Sequence, residues 1–195
     1  MPSLSPELSE LERQFASAKT EALGLVTGLT SAQFNWRPQP HSWSIAECLL
    51  HLNMVGHRSV GTLERILEEA KLQGRTGQGP FRYGLFGKRL LERTEPPPRR
   101  RFRAPQSFRP VDDQPVKAVL PTFLHLQGQL TQRLEQANGL DLARIRVPAP
   151  GFKLVKVNVL VMLAWIAAHQ RRHLWQAKQV REHAEFPRER LVRTS

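Results

Sequence analysis

Apolar residues recur at three- and four-residue steps in four stretches of this chain, and the spacing predicts an amphipathic helix in each. The first covers residues 5–29, with Leu8, Leu11, Phe15, Ala18, Ala22 and Leu25 on one stripe. The second covers 45–73, where Ile45, Leu49, Leu52 and Val55 form the main stripe. The third, 114–138, carries Val116, Val119, Leu120, Phe123, Leu124, Leu126, Leu130 and Leu134. Pro121 falls inside it and predicts a later start or a kink. The fourth, 158–184, aligns Val159, Met162, Ile166, His169, His173, Ala177 and Val180 in one row.

The connectors differ in kind. Residues 29–43 are rich in Pro and Trp and too irregular for a helix. The longest break, 74–113, holds Gly74, Gly77, Gly79, Gly84 and Gly87, then Pro96, Pro97 and Pro98, with a short helical pattern in YGLFGKRLLER. Residues 139–157 contain VPAPGFKLVKVN, which reads as a short extended piece. No repeat and no set of strands is visible. Helices of about 25 residues would be about 38 Å long at 1.5 Å per residue. The economical fold is all-α: a four-helix bundle formed by residues 1–195 as one domain. A long crossover between the second and third helices would let those two run parallel.

The second helix starts with a clear signal. In WSIAECLLHL, Ser44 stands at the N-cap and Glu47 three residues on, a capping box that pairs two otherwise orphan N–H groups. Trp43 before the cap and Cys48 after it fit a hydrophobic staple. Glu47 is thereby explained structurally and is not proposed as a base. His51 follows one turn later, on the row of Cys48 and Val55 that borders the apolar stripe, so it faces the bundle or its edge. His57 points elsewhere, His125 lies on the flank of the third helix, His41 falls in a loop and His183 at a helix end.

His169 and His173 stand four apart on the inward row of the fourth helix. Two readings of the pair stand. Imidazoles at i and i+4 project side by side and can hold one divalent ion such as Zn, Ni or Fe(II), with His51 as the natural third ligand. Alternatively they are packing histidines satisfied by Gln170, Gln176 or backbone groups. The surrounding row is mainly apolar, which weighs against the second reading, because buried polar groups need partners.

Composition narrows the setting. Lys and Arg number 29 against 17 Asp and Glu, for a net charge of +12. Much of the excess sits in RRRFR (99–103), at Arg109 and in 181–193. Charge alone speaks to steering and solubility, and no zinc-finger spacing or RNA-recognition signature accompanies it, which argues against a nucleic-acid partner. The single cysteine, Cys48, excludes an intrachain disulfide and fits a reducing, cytoplasmic setting. No signal peptide is evident. The longest apolar run, 159–168, is about half of a membrane span, so no membrane partner is expected.

Two motifs resemble those of a known family. WRPQPHSWSIAECLLHL (36–52) is similar to the second-helix motif of the DinB-like four-helix-bundle proteins, W-x-P-x-x-x-x-W-S-I-x-E-x-x-x-H-L. AAHQRRHLWQAKQV (167–180) is similar to their last-helix motif, A-x-H-x-x-R-H-L-x-Q. The motifs come in the family's order, and the first and third helices fit as well. One departure is His41, where relatives commonly have Gly. The resemblance implies a metal held by His51, His169 and His173, with coordination positions left open as in a catalytic ion. It also implies a class that includes thiol-dependent S-transferases alongside members of no known reaction.

The expected function is a metal-dependent enzyme, a transferase using a low-molecular-weight thiol or a hydrolase, acting on a small molecule. The alternatives are a non-enzymatic metal-binding or stress-response protein, and a nucleic-acid binder using its basic surface. Arg172 is a candidate anchor for an anionic substrate, and Phe34, Trp36 and Trp43 are candidates for the pocket mouth. The basic loop 96–110, with Arg99, Arg100 and Arg101, is a candidate cover that attracts an acidic substrate. Cys48 as a nucleophile is weighed against a small buried helix residue, the commoner role. A homodimer would bury leftover apolar helix faces.

Overall fold

The structure, a computed structural model, describes residues 3–98, 104–111 and 113–188. Four long helices carry the predicted stripes: α1 (Pro6–Val26), α3 (Ile45–Leu72), α5 (Val116–Ala137) and α6 (Val159–Arg181). Between them lie α2 (Ser31–Asn35), α4 (Gly84–Thr94), a single 3₁₀ turn at Gln106–Phe108, and a hairpin of β1 (Arg146–Ala149) and β2 (Phe152–Asn158). No helix among the described residues is long and apolar enough to cross a membrane.

Local chemistry explains the boundaries. α1 opens with Ser5 as N-cap and Pro6 in its first turn, where a missing N–H costs nothing. Just beyond its C-cap, Gly28 takes a φ of +78°, a left-handed conformation open to glycine. α3 has the predicted capping box: Glu47 N–H donates to Ser44 Oγ at 3.1 Å, and Ser44 N–H donates to Glu47 Oε2 at 2.8 Å. Arg37 adds two bonds to the same carboxylate, both at 2.7 Å.

Two expectations need correction, and a third is borne out and made more specific. Residues 29–43 are not wholly irregular: Thr30 and Gln33 form a second capping box that starts α2. The extended piece at 146–158 is a paired antiparallel hairpin, with Val147 opposite Val157 and a bulge between Pro148 and Ala149. α5 does not start after Pro121 but runs through it from Val116. Pro121 sits in the second turn, where its missing N–H deprives only the carbonyl of exposed Lys117 of a helical partner.

Packing gives the bundle its order. α1 and α3 each pack against both α5 and α6. Going round the bundle, the helices are therefore α1, α5, α3, α6. Asn53 Nδ2 donates to the Val119 carbonyl at 2.9 Å, and Glu64 pairs with Arg133 at 3.0 Å. Both contacts advance in the same direction along the two helices, so α3 and α5 run parallel, as the long crossover requires. α1 and α6 are parallel too: Arg171 Nη1 donates to Gln14 Oε1 at 2.7 Å, and Arg181 Nη1 donates to the Gly24 carbonyl at 2.6 Å. Arg181 thus serves the orphan carbonyls at the end of α1. α4 approaches α6 so closely that a Cβ at Gly87 would lie 2.5 Å from a Val161 methyl.

The core falls into two apolar clusters. One gathers Phe34, Ile45, Leu49, Phe123 and Leu174; the other gathers Leu11, Leu63, Leu130, Leu134, Ile145, Val157 and Leu163. On α6 the first resumes only at Leu174 and the second ends at Ala167. The interval between them holds both histidines of the pair.

The α3 cap is buried, so its loss should register fully. Ser44→Ala is expected to lower the unfolding free energy by about 1–2 kcal/mol. Equilibrium urea denaturation measures this, and an unchanged midpoint would show that Arg37 and Glu47 alone hold the helix start.

Candidate metal centre

α3 and α6 run antiparallel, and their crossing sets His51 against the pair on α6. The nitrogens that His51, His169 and His173 can offer all lie within 4.8 Å of one another. His51 Nε2 and His169 Nε2 are 3.4 Å apart. Two ligands of one tetrahedral zinc are separated by about 3.3 Å when each Zn–N bond is 2.0–2.1 Å. The donor set and the spacing therefore fit a divalent ion.

Tautomers are set from behind. His51 Nδ1–H donates to the Phe108 carbonyl at 2.7 Å. His173 Nδ1–H donates to Gln176 Oε1 at 3.1 Å. With Nδ1 occupied in both rings, each Nε2 keeps its lone pair for the shared space. Gln176, a partner expected for packing histidines, thus occupies only the outer nitrogen of His173.

Two tryptophans wall the cluster. Trp165 stacks on His169 with ring centroids 4.6 Å apart, and Trp43 stacks on His173 at 5.5 Å while meeting His51 at 4.9 Å. His51 and His173 are buried at 4% and 8% exposure, and His169 as a whole residue is partly exposed.

Burial dominates the electrostatics. Desolvation holds His51 below the usual imidazole range, against the opposing effect of the Phe108 carbonyl. His169 is lowered further by desolvation, then by His173, His51 and Arg172. His173 is pushed down to about 3 by desolvation first, then by His51 and Arg172, with Gln176 opposing. All three rings are thus neutral at pH 7, the form that ligates a metal.

The other candidates are placed as follows. His57 and His125 are exposed, His41 lies in an exposed turn, and His183 packs on Trp36 at 5.5 Å. Trp43 borders the cluster, whereas Phe34 is core and Trp36 packs edge-on against Phe186. Cys48 is fully buried, and burial pushes its thiol pKa up, away from a nucleophilic thiolate. Arg172 lies close enough to bear on His169 and His173, and its Nη1 donates to the Arg93 carbonyl at 3.3 Å. Arg99, Arg100 and Arg101 lie outside the described residues. Trp165 and Phe108 escaped the reading of the sequence. Trp165 was within reach, standing four residues before His169 on the same face. Phe108 acts through its backbone, which no side-chain pattern signals.

The depressed imidazole pKa values make the metal-free protein acid-sensitive. Unfolded histidines take up protons near 6.5 and the folded ones resist, so stability is fully present above that pH and falls as pH drops below it. Each histidine contributes a slope of up to about 1.4 kcal/mol per pH unit. Thermal melts in chelator between pH 7 and 5 should show this decline, and His173→Gln, which cannot titrate, should flatten it.

Comparison with known proteins agrees with the geometry. The chain is 26% identical over 172 residues to the uncharacterized protein YuaE of Bacillus subtilis (strain 168), covering 88% of this chain and 97% of that protein. No solved structure matches. The family model of the DinB superfamily matches residues 14–177, a span that takes in most of α1, all of α3 and α5 and the three clustered histidines, and the chain belongs to that superfamily.

Proposed function

We propose that His51, His169 and His173 hold one divalent ion and that the protein is a metal-dependent enzyme acting on a small molecule. The observation that carries this reading is the convergence of three neutral imidazoles, two of which, His51 and His173, have Nδ1 engaged and so keep the Nε2 lone pair free. A metal-free cluster would leave those two lone pairs to share at most the single N–H of His169, whose Nε2 lies 3.4 Å from His51 Nε2. Bound there, a divalent ion supplies Lewis acidity that activates a thiol or a water as a nucleophile at neutral pH. Three protein ligands leave positions for such a molecule. Zn, Ni and Fe(II) all suit imidazole donors. The chain's own part is to hold the three rings, to exclude bulk water with Trp43 and Trp165, and to place the positive charge of Arg172 beside the site, where it favours an anionic group. A low-molecular-weight thiol would make the reaction an S-transfer, and water a hydrolysis.

A second reading, metal binding without turnover, draws on Cys48 and Glu47. One is buried as a thiol and the other is engaged by Arg37 and the helix cap, so neither reactive residue beside His51 is available.

Metal analysis of protein purified without a histidine tag tests the first step. About one ion per chain is expected in the wild type, lost in His51→Ala and in His169→Ala. No uptake of Zn, Ni or Fe(II) by the wild type would make the three rings packing residues. If metal-loaded protein turns over none of a panel of electrophiles with thiols or water, the reading without turnover prevails.

A further inference from the structure

Among the described residues, the crossover from α3 to α5 is hydrogen-bonded to the cluster through the Phe108 carbonyl, on His51 Nδ1 at 2.7 Å. The turn that presents it is closed within itself. Phe108 N–H donates to the Pro105 carbonyl at 2.9 Å, Arg109 N–H to the Gln106 carbonyl at 3.2 Å, and Arg109 Nε to the Ala104 carbonyl at 3.2 Å. A second contact to α3 comes from its side chain: the Arg58 guanidinium lies over the Phe108 ring, 5.9 Å from its centroid. Arg58 stands seven residues after His51, so both project from one face of α3. One helix face therefore grips Phe108 twice, by the carbonyl and by the ring. Farther along, the crossover is tied to α2 by a reciprocal pair: Asn35 Nδ2 donates to the Gln114 carbonyl at 3.0 Å, and Gln114 N–H donates to Asn35 Oδ1 at 2.9 Å.

We infer that Phe108 is a positioning residue for the metal site: its carbonyl commits His51 to presenting Nε2, and Arg58 holds that carbonyl in place through the ring. This rests on the metal reading above. A ring free to rotate or to change tautomer would offer Nε2 to the shared space only part of the time, so affinity falls by the fraction lost. A ligating imidazole also donates more strongly through its other nitrogen. Docking of the turn and filling of the site therefore favour each other, and the coupling is the same from either side.

Zinc titration of the full chain against a competing chelator tests this. Phe108→Ala and Arg58→Ala should weaken zinc binding about 10–100-fold, the range seen when a partner behind a ligand is lost. Phe108→Tyr, which keeps the ring, should bind as the wild type does. Arg58 is exposed on α3, so its variant reports even if Phe108→Ala fails to fold. Loading with Co(II) should give a visible spectrum that changes in Phe108→Ala and is restored in Phe108→Tyr. In hydrogen exchange, the Phe108 and Arg109 amides should slow when zinc is added to the wild type and should not respond in His51→Ala. A wild type that binds no zinc would overturn the metal reading and this inference with it. A wild type that binds zinc, with both variants within twofold of it and the same Co(II) spectrum, would overturn this inference alone.

Discussion

Three imidazoles whose donor nitrogens lie within 4.8 Å of one another cannot be buried as cations. Desolvation opposes protonation of all three, and the neighbouring imidazoles add to it at His169 and His173. The cluster exists only as neutral rings, and a neutral ring must place its one N–H somewhere. The fold provides for two of them: the crossover gives His51 a carbonyl, and the next turn of α6 gives His173 an amide oxygen. Much of the architecture follows from that demand. α3 and α6 must cross at one level, and a segment joining α3 to α5 must come back over α3.

The bundle meets the demand by keeping its strong packing away from the cluster. Two apolar clusters, one built round Phe34, Leu49 and Phe123 and the other round Leu63, Leu130 and Leu163, grip the helices on either side of the site. Helices held at both ends are stiff between them, and that stiffness lets side chains from different elements keep a fixed geometry. Arg181 on the α1 carbonyls and the bidentate Arg37–Glu47 contact at the start of α3 serve the same end with polar groups. The hairpin closes the end of the bundle where α6 begins, burying Val147 and Val157 against it.

What could be read from the sequence was what is encoded locally. Ser44 and Glu47 are three residues apart and form the cap their spacing predicts; His169 and His173 are four apart and meet as that spacing requires. Apolar periodicity located all four long helices because each buries one face. The misreadings share a physical cause. The residues forming α2 carry little apolar periodicity, and its start depends on Thr30 and Gln33, a signal easily lost among prolines. Pro121 is tolerated because the residue whose carbonyl loses its helical partner, Lys117, is exposed to solvent, which local sequence does not reveal. The grip on His51 by a residue 57 positions away is a fact of tertiary structure alone.

Superfamily membership fixes a bundle and the structure brings these histidines together, but a fold does not by itself fix a reaction. The residues around the cluster constrain the chemistry further. Cys48 lies one turn before His51, yet full burial keeps its sulfur a thiol. Glu47 is also one turn away, and both its oxygens are committed to Arg37 and the cap. Neither side chain can then attack a substrate or take its proton. On the proposed reading, the nucleophile must then arrive from solution. A thiol or a water meets that condition, and specificity then resides in the aromatic wall and the guanidinium rather than in the three rings that every such site would share.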